Sequence, residues 1–363
     1  MIDYRVIVIA GLTSLSVHAG LAADADKPQN PLDGSVKTAE GCRIWPVNPH
    51  PDATASWEGE CVDGRASGSS TFILRWADKE ERYNGAMRDG KANGRGSFVF
   101  YTGNRYEGDW KDGSANGQGT LVFANGDRYQ GAFVDGRATG HGTIAWAKGD
   151  RYEGEWLNNQ RSGHGVTKMA NGNSYDGEWR NDKSDGTGTL TLKNGDRYTG
   201  DWRDGKADGH GVFLWANGDK YDGRWVDDKR TGHGVLTLAK GGSYDGEWLD
   251  NAAEGKGVRT WANGDRYEGA WLKNARTGRG MQTYANGDLY YGLWSNDLRN
   301  GDGAMKFGNG SRYNGNWKNG MADGTGTYVS SDGREIAGAW KNGCFRIGGR
   351  LAVAVGAAPE SCQ

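Results

Sequence analysis

The apolar and polar positions of this chain alternate in short runs that recur down its length. In Arg105–Lys111, Tyr106, Gly108 and Trp110 alternate with Arg105, Glu107, Asp109 and Lys111. This period of two predicts a β-strand with one aromatic and one charged face. A second strand is predicted through Gly119, Leu121 and Phe123, with Thr120 and Val122 turned the other way. Asp112–Asn116, between the two, has turn composition. Asn125-Gly126-Asp127 predicts a tight reversal into the next copy, since glycine supplies a positive φ at little cost. Gly108 leaves a gap between its aromatic neighbours that another group can approach closely.

The run is one of many in phase. Tyr stands at 83, 106, 129, 152, 175, 198, 221, 244, 267, 290 and 313, every step being 23 residues, and Ile336 takes the next place. Two residues after each of these comes Gly, and four after comes Trp, with Met87 and Phe133 as substitutes. Two further glycines follow, as in Gly117 and Gly119, and a last one closes the unit. A fixed period of this size marks a stacked array in which each hairpin buries its face against its neighbours. Trp57, Gly59 and Cys61, followed by Gly68, Phe72 and Leu74, read as a divergent first copy. Ile336, Gly338 and Trp340, followed by Gly349, Leu351 and Val353, read as the last. The expected fold is all-β: one elongated, open, twisted, solenoid-like antiparallel sheet of about thirteen stacked 23-residue β-hairpins. At ~4.8 Å per strand it would be about 125 Å long.

Tyr-x-Gly-x-Trp followed by Gly-x-Gly resembles the MORN repeat (membrane occupation and recognition nexus) over about residues 57–355. The Cys-bearing ends, Cys42-Arg43-Ile44-Trp45-Pro46 with Trp57 to Cys61, and Cys344-Phe345-Arg346, look like those of exported bacterial members. The resemblance implies a trough-like sheet and a scaffold or binding role. In some eukaryotic relatives the array accompanies a lipid kinase or a methyltransferase, for which this chain has no residues left over.

The ends are read separately. Met1–Arg5 is short and polar, Val6–Val17 is mostly apolar, and small residues cluster at Ala19, Gly20, Ala22 and Ala23. That stretch is short for a bilayer span and matches a secretory signal. The expected organisation is a signal peptide at 1–23, a Pro-rich lead-in and N-terminal cap at 24–55, the array at 56–356 and a closing tail at 357–363. An exported chain folds where disulfides persist. Cys42 with Cys61 and Cys344 with Cys362 are the natural pairs, although four cysteines allow three connectivities. Each closed loop is worth roughly 3 kcal/mol in the loop-entropy description.

Composition narrows the function. With 44 basic and 46 acidic residues the chain has none of the basic surplus of a nucleic-acid binder. His141, His164, His210 and His233 share the middle place of Gly-x-Gly, where other units carry Arg95, Gln118 or Thr187. They read as tolerated surface residues and not as metal ligands, because no second ligand row completes a tetrahedral set. The carboxylates fall in ladders beside Arg and Lys, as in Arg151, Glu153 and Glu155, a solvated charge-matched face. No catalytic set, metal site or cofactor site is expected.

The aromatic face is the remaining feature. Tyr106, Trp110, Tyr152, Trp156, Tyr198, Trp202, Tyr221, Trp225, Tyr267 and Trp271 are its candidate surface residues. About thirteen such faces sum to on the order of 2,500 Å², far above what a soluble monomer exposes. Either the sheet curls over its own rows or a partner occupies them. The expected function is a non-enzymatic interaction scaffold or binding protein of the cell envelope, periplasmic or secreted, with a protein partner or self-association. Polysaccharide or peptidoglycan binding through the aromatic rows is the alternative. Phospholipid ranks lowest, since the adjacent acids neutralise the Arg row. N-terminal sequencing of exported protein should give a mature start near Ala23 or Asp24; Met1 on soluble cytoplasmic material contradicts the signal.

Overall fold

A computed structural model describes residues 34–362, so the expected signal peptide lies outside the described residues. Among these there are thirty β-strands, the 3-10 turn Pro359–Cys362 and no α-helix. Twenty-eight strands belong to one sheet, and Cys344–Ile347 and Arg350–Ala354 form their own. Within the repeats successive strands pair antiparallel with their neighbours, as an open array of hairpins requires, whereas Arg43–Ile44 at the start lies parallel to Arg65–Trp76. The chain divides into two compact units near residues 194–205, and both are built from the same hairpin.

In Arg151–Leu157, Tyr152, Gly154 and Trp156 face inward while Arg151, Glu153, Glu155 and Leu157 face solvent. Leu157 pairs with Gln160, so Asn158 and Asn159 alone make the turn, with φ of 49° and 69°. This is the type I′ geometry whose twist matches that of the strands it joins. The turn is shorter than composition indicates. Lys111 likewise pairs with Ser114, so Ala115 and Asn116 already belong to the strand Ser114–Val122. The discrepancy is taken up by a bulge: Gly108 pairs with Gly119 and Trp110 with Ala115, leaving Asp109 opposite Asn116, Gly117 and Gln118. Gly117 takes φ +118° there, and the Asp109 carboxylate accepts the Gln118 N–H at 2.9 Å.

The second reversal is tied to the following unit. The Phe123 N–H donates to the Asp127 carbonyl and the Gly126 N–H to the Phe123 carbonyl, both at 2.9 Å. Asp127 Oδ1 accepts the Ala147 N–H at 2.8 Å, and Asp150 Oδ1 accepts that of Ala170 at 2.8 Å. The Asp of Asn-Gly-Asp is therefore a fastening between successive reversals.

The core lies along a glycine track. Gly154 pairs with Gly165 and Gly165 with Gly177, so these strands pass one another without side chains. The Tyr152 ring occupies that space, and a Cβ on Gly165 would stand 2.3 Å from its hydroxyl. Lying there, Tyr152 Oη donates to the Glu155 carbonyl at 2.9 Å. Trp156 Nε1 donates to the Gly142 carbonyl of the preceding hairpin at 3.1 Å. Tyr152 meets Trp156 at 5.3 Å and 84°, and Trp179 of the next hairpin at 5.4 Å and 80°. These are edge-to-face contacts, each worth about 0.5–1.5 kcal/mol beyond the area buried.

The two ends depart from the pattern in different ways. Trp57 pairs with Phe72 as Tyr83 pairs with Phe98. Its indole N–H donates to the Glu60 carbonyl at 2.8 Å, so Trp57 does the work of the repeat tyrosine. Residues 34–55 are not simply extended. Arg43 N–H donates to the Gly64 carbonyl and Trp45 N–H to that of Gly90, both at 2.8 Å, with Ile44 fully buried. At the other end Glu335–Trp340 pairs with Met321–Val329, but Gly349, Leu351 and Val353 do not form the expected second strand against it. Gly348 and Gly349 take φ of 57° and 81°, a two-residue turn that sends Arg350–Ala354 back along Cys344–Ile347.

Gly165→Ala is expected to cost about 3 kcal/mol through overpacking against Tyr152. Amide exchange should quicken in residues 151–180 and stay unchanged several hairpins away, because each hairpin contacts only its neighbours. Uniform loosening of the whole chain would contradict this packing.

Candidate functional site

The four cysteines are joined as Cys42–Cys61 and Cys344–Cys362. Cys61 pairs with Ala66, as Trp110 pairs with Ala115, so it stands where other hairpins carry Trp. Cys344 directly follows the Asn342-Gly343 turn.

The aromatic rows are core, which corrects their reading as candidate surface. Tyr106, Trp110, Tyr152, Trp156, Tyr198, Trp202, Tyr221, Trp225, Tyr267 and Trp271 are all 4% exposed or less. The glycine track lets the rings lie flush and cover one another, so no trough of open ring faces remains at these positions. Burial raises the hydroxyls of Tyr267 and Tyr313 to about 12. They stay protonated donors to the carbonyls of Ala270 and Asn316 at neutral pH.

One inward column carries chemistry that the aromatic pattern does not announce. It directly follows the first residue of the second strand, and it is Ala in most hairpins but Arg at 161, 230, 276 and 299. The Arg161 guanidinium lies 4.0 Å over the Trp179 ring, and Arg230 lies 4.4 Å over Trp248. Arg276 and Arg299 stack on Trp294 and Trp317 at 4.2 and 4.4 Å. Arg161 is 1% exposed and donates from Nε to Asp182 Oδ1 at 3.1 Å and from Nη2 to the Asp182 carbonyl at 2.7 Å. Burial pushes its guanidinium below the ordinary value, and Asp182 pulls it back up. A cation this deep is tolerable only when paired and hydrogen-bonded.

Where two such arginines fall in consecutive hairpins, the surface opens. A cavity of about 550 Å³ lies among Trp261, Arg276, Gln282, Tyr284, Asp297 and Arg299. Arg276 is held by Asp297 at 3.0 Å and by Gln282 Oε1 at 2.9 Å.

The opposite face is the charged one. His164, His210 and His233 each approach a carboxylate there, Asp176, Asp222 and Asp245, at 3.0, 3.2 and 2.9 Å. These side chains are exposed, and among the described residues no group of three or more His, Cys, Asp or Glu is placed to hold a metal ion. Lys183, Lys206 and Lys229 pair with Asp204, Asp227 and Asp250 at 2.9–3.0 Å. Such exposed pairs contribute little stability individually. No helix among the described residues is long and apolar enough to cross a membrane.

The MORN repeat pattern matches eleven consecutive segments, from 83–105 to 313–333. The chain belongs to the MORN-repeat family. Its MORN hairpins are similar to the TCP10 domain of Danio rerio CPAP in complex with a peptide of Danio rerio STIL, at 14% identity and TM-score 0.32, over 62% of this chain and 95% of that one. They are also similar to the TCP10c domain of Drosophila melanogaster Sas-4, at 15% identity and TM-score 0.27, over 43% and 93%. A third similarity is to virginiamycin B lyase from Staphylococcus aureus, at 10% identity and TM-score 0.14, over 74% and 83%. Scores this low carry no argument about this chain. No curated protein sequence matches it.

Within the MORN array, the arginine column could have been found by aligning the hairpins and asking which inward column changes character. Its meaning depends on a second position twenty-one residues downstream, where Asp182 serves Arg161. Asp182→Ala is expected to cost about 3–5 kcal/mol, since it leaves a buried cation alone. Arg161→Met should cost a comparable amount, because it leaves the buried Asp182 carboxylate with only the backbone N–H of residue 161. Urea unfolding of the two variants and of the double variant tests this: the double change should cost clearly less than the sum of the single ones, and additive costs would sink the buried-pair account.

Proposed function

We propose that this chain is a non-enzymatic interaction scaffold of the cell envelope, periplasmic or secreted, that binds a protein partner or a second copy along its repeat surface. The observation that carries the reading is the commitment of the MORN hairpins to a self-covered aromatic core, with a charged and variable outer face left for contact. The two cysteine pairs support folding in an oxidising compartment. An expected organisation of export signal, N-terminal cap, array and closing tail fits the same reading. Burial of the aromatic rows removes the support that stacking gave to polysaccharide binding. Near-neutral charge gives none to an anionic membrane.

A photo-crosslinking residue at the exposed Leu157 or Leu249, introduced in the producing cell, tests the reading. The expected result is a protein adduct, with another polypeptide or with a second copy, that protease removes. Adducts removed only by glycosidase or by lipid extraction would favour the other ligand classes, and the absence of any adduct would count against a scaffold.

A further inference from the structure

Three of the four arginines of this column meet a side-chain acceptor twenty-one residues on, namely Asp182, Asn251 and Asp297. The geometry at each is shared. Asp182 Oδ1 accepts both the backbone N–H of Arg161 at 3.0 Å and its Nε–H at 3.1 Å. Asp297 Oδ1 accepts the same two donors of Arg276, each at 3.0 Å. For Arg299 the corresponding residue is Gly320, which has no side chain to offer. Its carbonyl takes Nη2 at 2.7 Å, and Nη1 rests 3.8 Å from the Met305 sulfur. Among the described residues no carboxylate forms an ion pair with Arg299. The acids that share its cavity are engaged elsewhere, Asp297 by Arg276 and Asp265 by the Ala285 N–H. Burial disfavours the charge on Arg299 most, Tyr284 and Tyr290 offset part of that, and the nearby Arg276 and the acid Asp288 act in opposite senses. Arg161 and Arg230 are sealed at 1% and 2% exposure, whereas Arg299 and Gly320 both line the open cavity.

We propose that Arg299 is the anchor of a carboxylate-binding site, and that its ligand is an acidic side chain or C-terminus of a peptide segment. The carboxylate takes the place that Asp182 and Asp297 fill beside their own arginines, with Trp261 and Tyr284 walling the rest of the cavity. Charge-assisted hydrogen bonds of this kind are the strong ones, and they select an anion by geometry as well as by charge. A sugar acid would present the same group and could lie against the half-buried Trp261 and Tyr284, so the test includes one. The choice of a peptide rests on the scaffold reading above.

The decisive variant is Gly320→Asp, which restores the missing partner. The backbone accepts it: Gly320 has φ +85°, its nearest neighbour for a Cβ is Leu298 at 4.0 Å, and Asp182 and Asp297 adopt φ of 67° and 66° at the same place. Gly205→Asp makes the same change beside Ser184 and serves as control. The full chain is screened on an array of random twelve-residue peptides, with amidated and with free C-termini, and against oligogalacturonate. Retained peptides should be enriched in Asp, Glu or the free terminus. Their affinity should fall at least about tenfold in Gly320→Asp, the size of a lost charge-assisted bond, and in Arg299→Met, but not in Gly205→Asp. Melting of Gly320→Asp should be unchanged or raised, which separates lost binding from lost fold. The proposal is overturned if retained peptides lack acids, if Gly320→Asp leaves binding intact, if no peptide is retained, or if oligogalacturonate is the better ligand. Crosslinking at Leu157 or Leu249 does not involve Arg299, so a protein adduct without acid-dependent peptide binding sinks the site alone. Acid-dependent peptide binding without a protein adduct sinks the scaffold alone.

Discussion

The contact on which the rest of this structure depends is the tyrosine ring laid across two columns of glycine. With no Cβ at Gly154 or Gly165, the Tyr152 ring comes down on the strands themselves, and its hydroxyl reaches the Glu155 carbonyl in the same strand. That position exposes the ring edge on one side to Trp156 and on the other to Trp179. One side chain thereby closes its own hairpin and joins it to the next. The length of the repeat follows from this requirement. A two-residue turn and an Asn-Gly-Asp reversal return the chain to the same register each time, and a slip of one residue would turn every ring to the outside. The outward positions carry no such constraint, so the middle of Gly-x-Gly is free to be His, Gln, Thr or Lys.

Much of this was legible in the sequence because it is periodic. Alternation identified the strands, phase identified the hairpins, and the cysteine spacing identified both pairs. The turn length was not legible, because Ala115 and Asn116 look like turn residues until Gly117 is known to sit in a bulge at positive φ. The end of the array was misjudged at Gly349 for a similar reason. Two adjacent glycines read in phase as a strand position, whereas Gly348-Gly349 favours a two-residue turn. The aromatic rows show a subtler limit. A period of two tells which residues share a face but not what lies on that face. Here the cover comes from the rings of neighbouring hairpins, whose close approach is set by glycines and not by the aromatics themselves.

The ends show how a repeating sheet stops. A bare edge strand offers unpaired backbone groups to any other chain. At the start, Arg43 and Trp45 spend theirs on Gly64 and Gly90, and Cys42 ties this segment to Cys61. At the finish, the Val355 N–H donates to the Gly343 carbonyl and the Ala322 N–H to that of Val355, while Cys362 closes on Cys344. Both devices pin a short, irregular segment against the last regular hairpin, where it occupies backbone groups that the next repeat would otherwise take.

The arginine column shows how a regular array acquires a local identity. Exchanging Ala for Arg at one inward position brings a charge into the core, which the fold tolerates only if something nearby answers it. The indole of the following hairpin supplies a flat surface for the guanidinium, and every hairpin past the exchange already has one. The carboxylate is not built in; it needs a second exchange in the following turn, as at Asp182 and Asp297. The two exchanges are coupled in space but separate in sequence, so one can be present without the other. Arg299 with Gly320 is the extreme case, with the ring contact kept and no side-chain acceptor at all, where Arg230 still meets the neutral Asn251. It falls next to Arg276, where two long side chains in successive hairpins, together with Gln282, replace the compact apolar filling found elsewhere and hold the cavity open. Regularity thus makes the sheet, and a paired departure from regularity, left half complete, makes the place on it that differs from all the others.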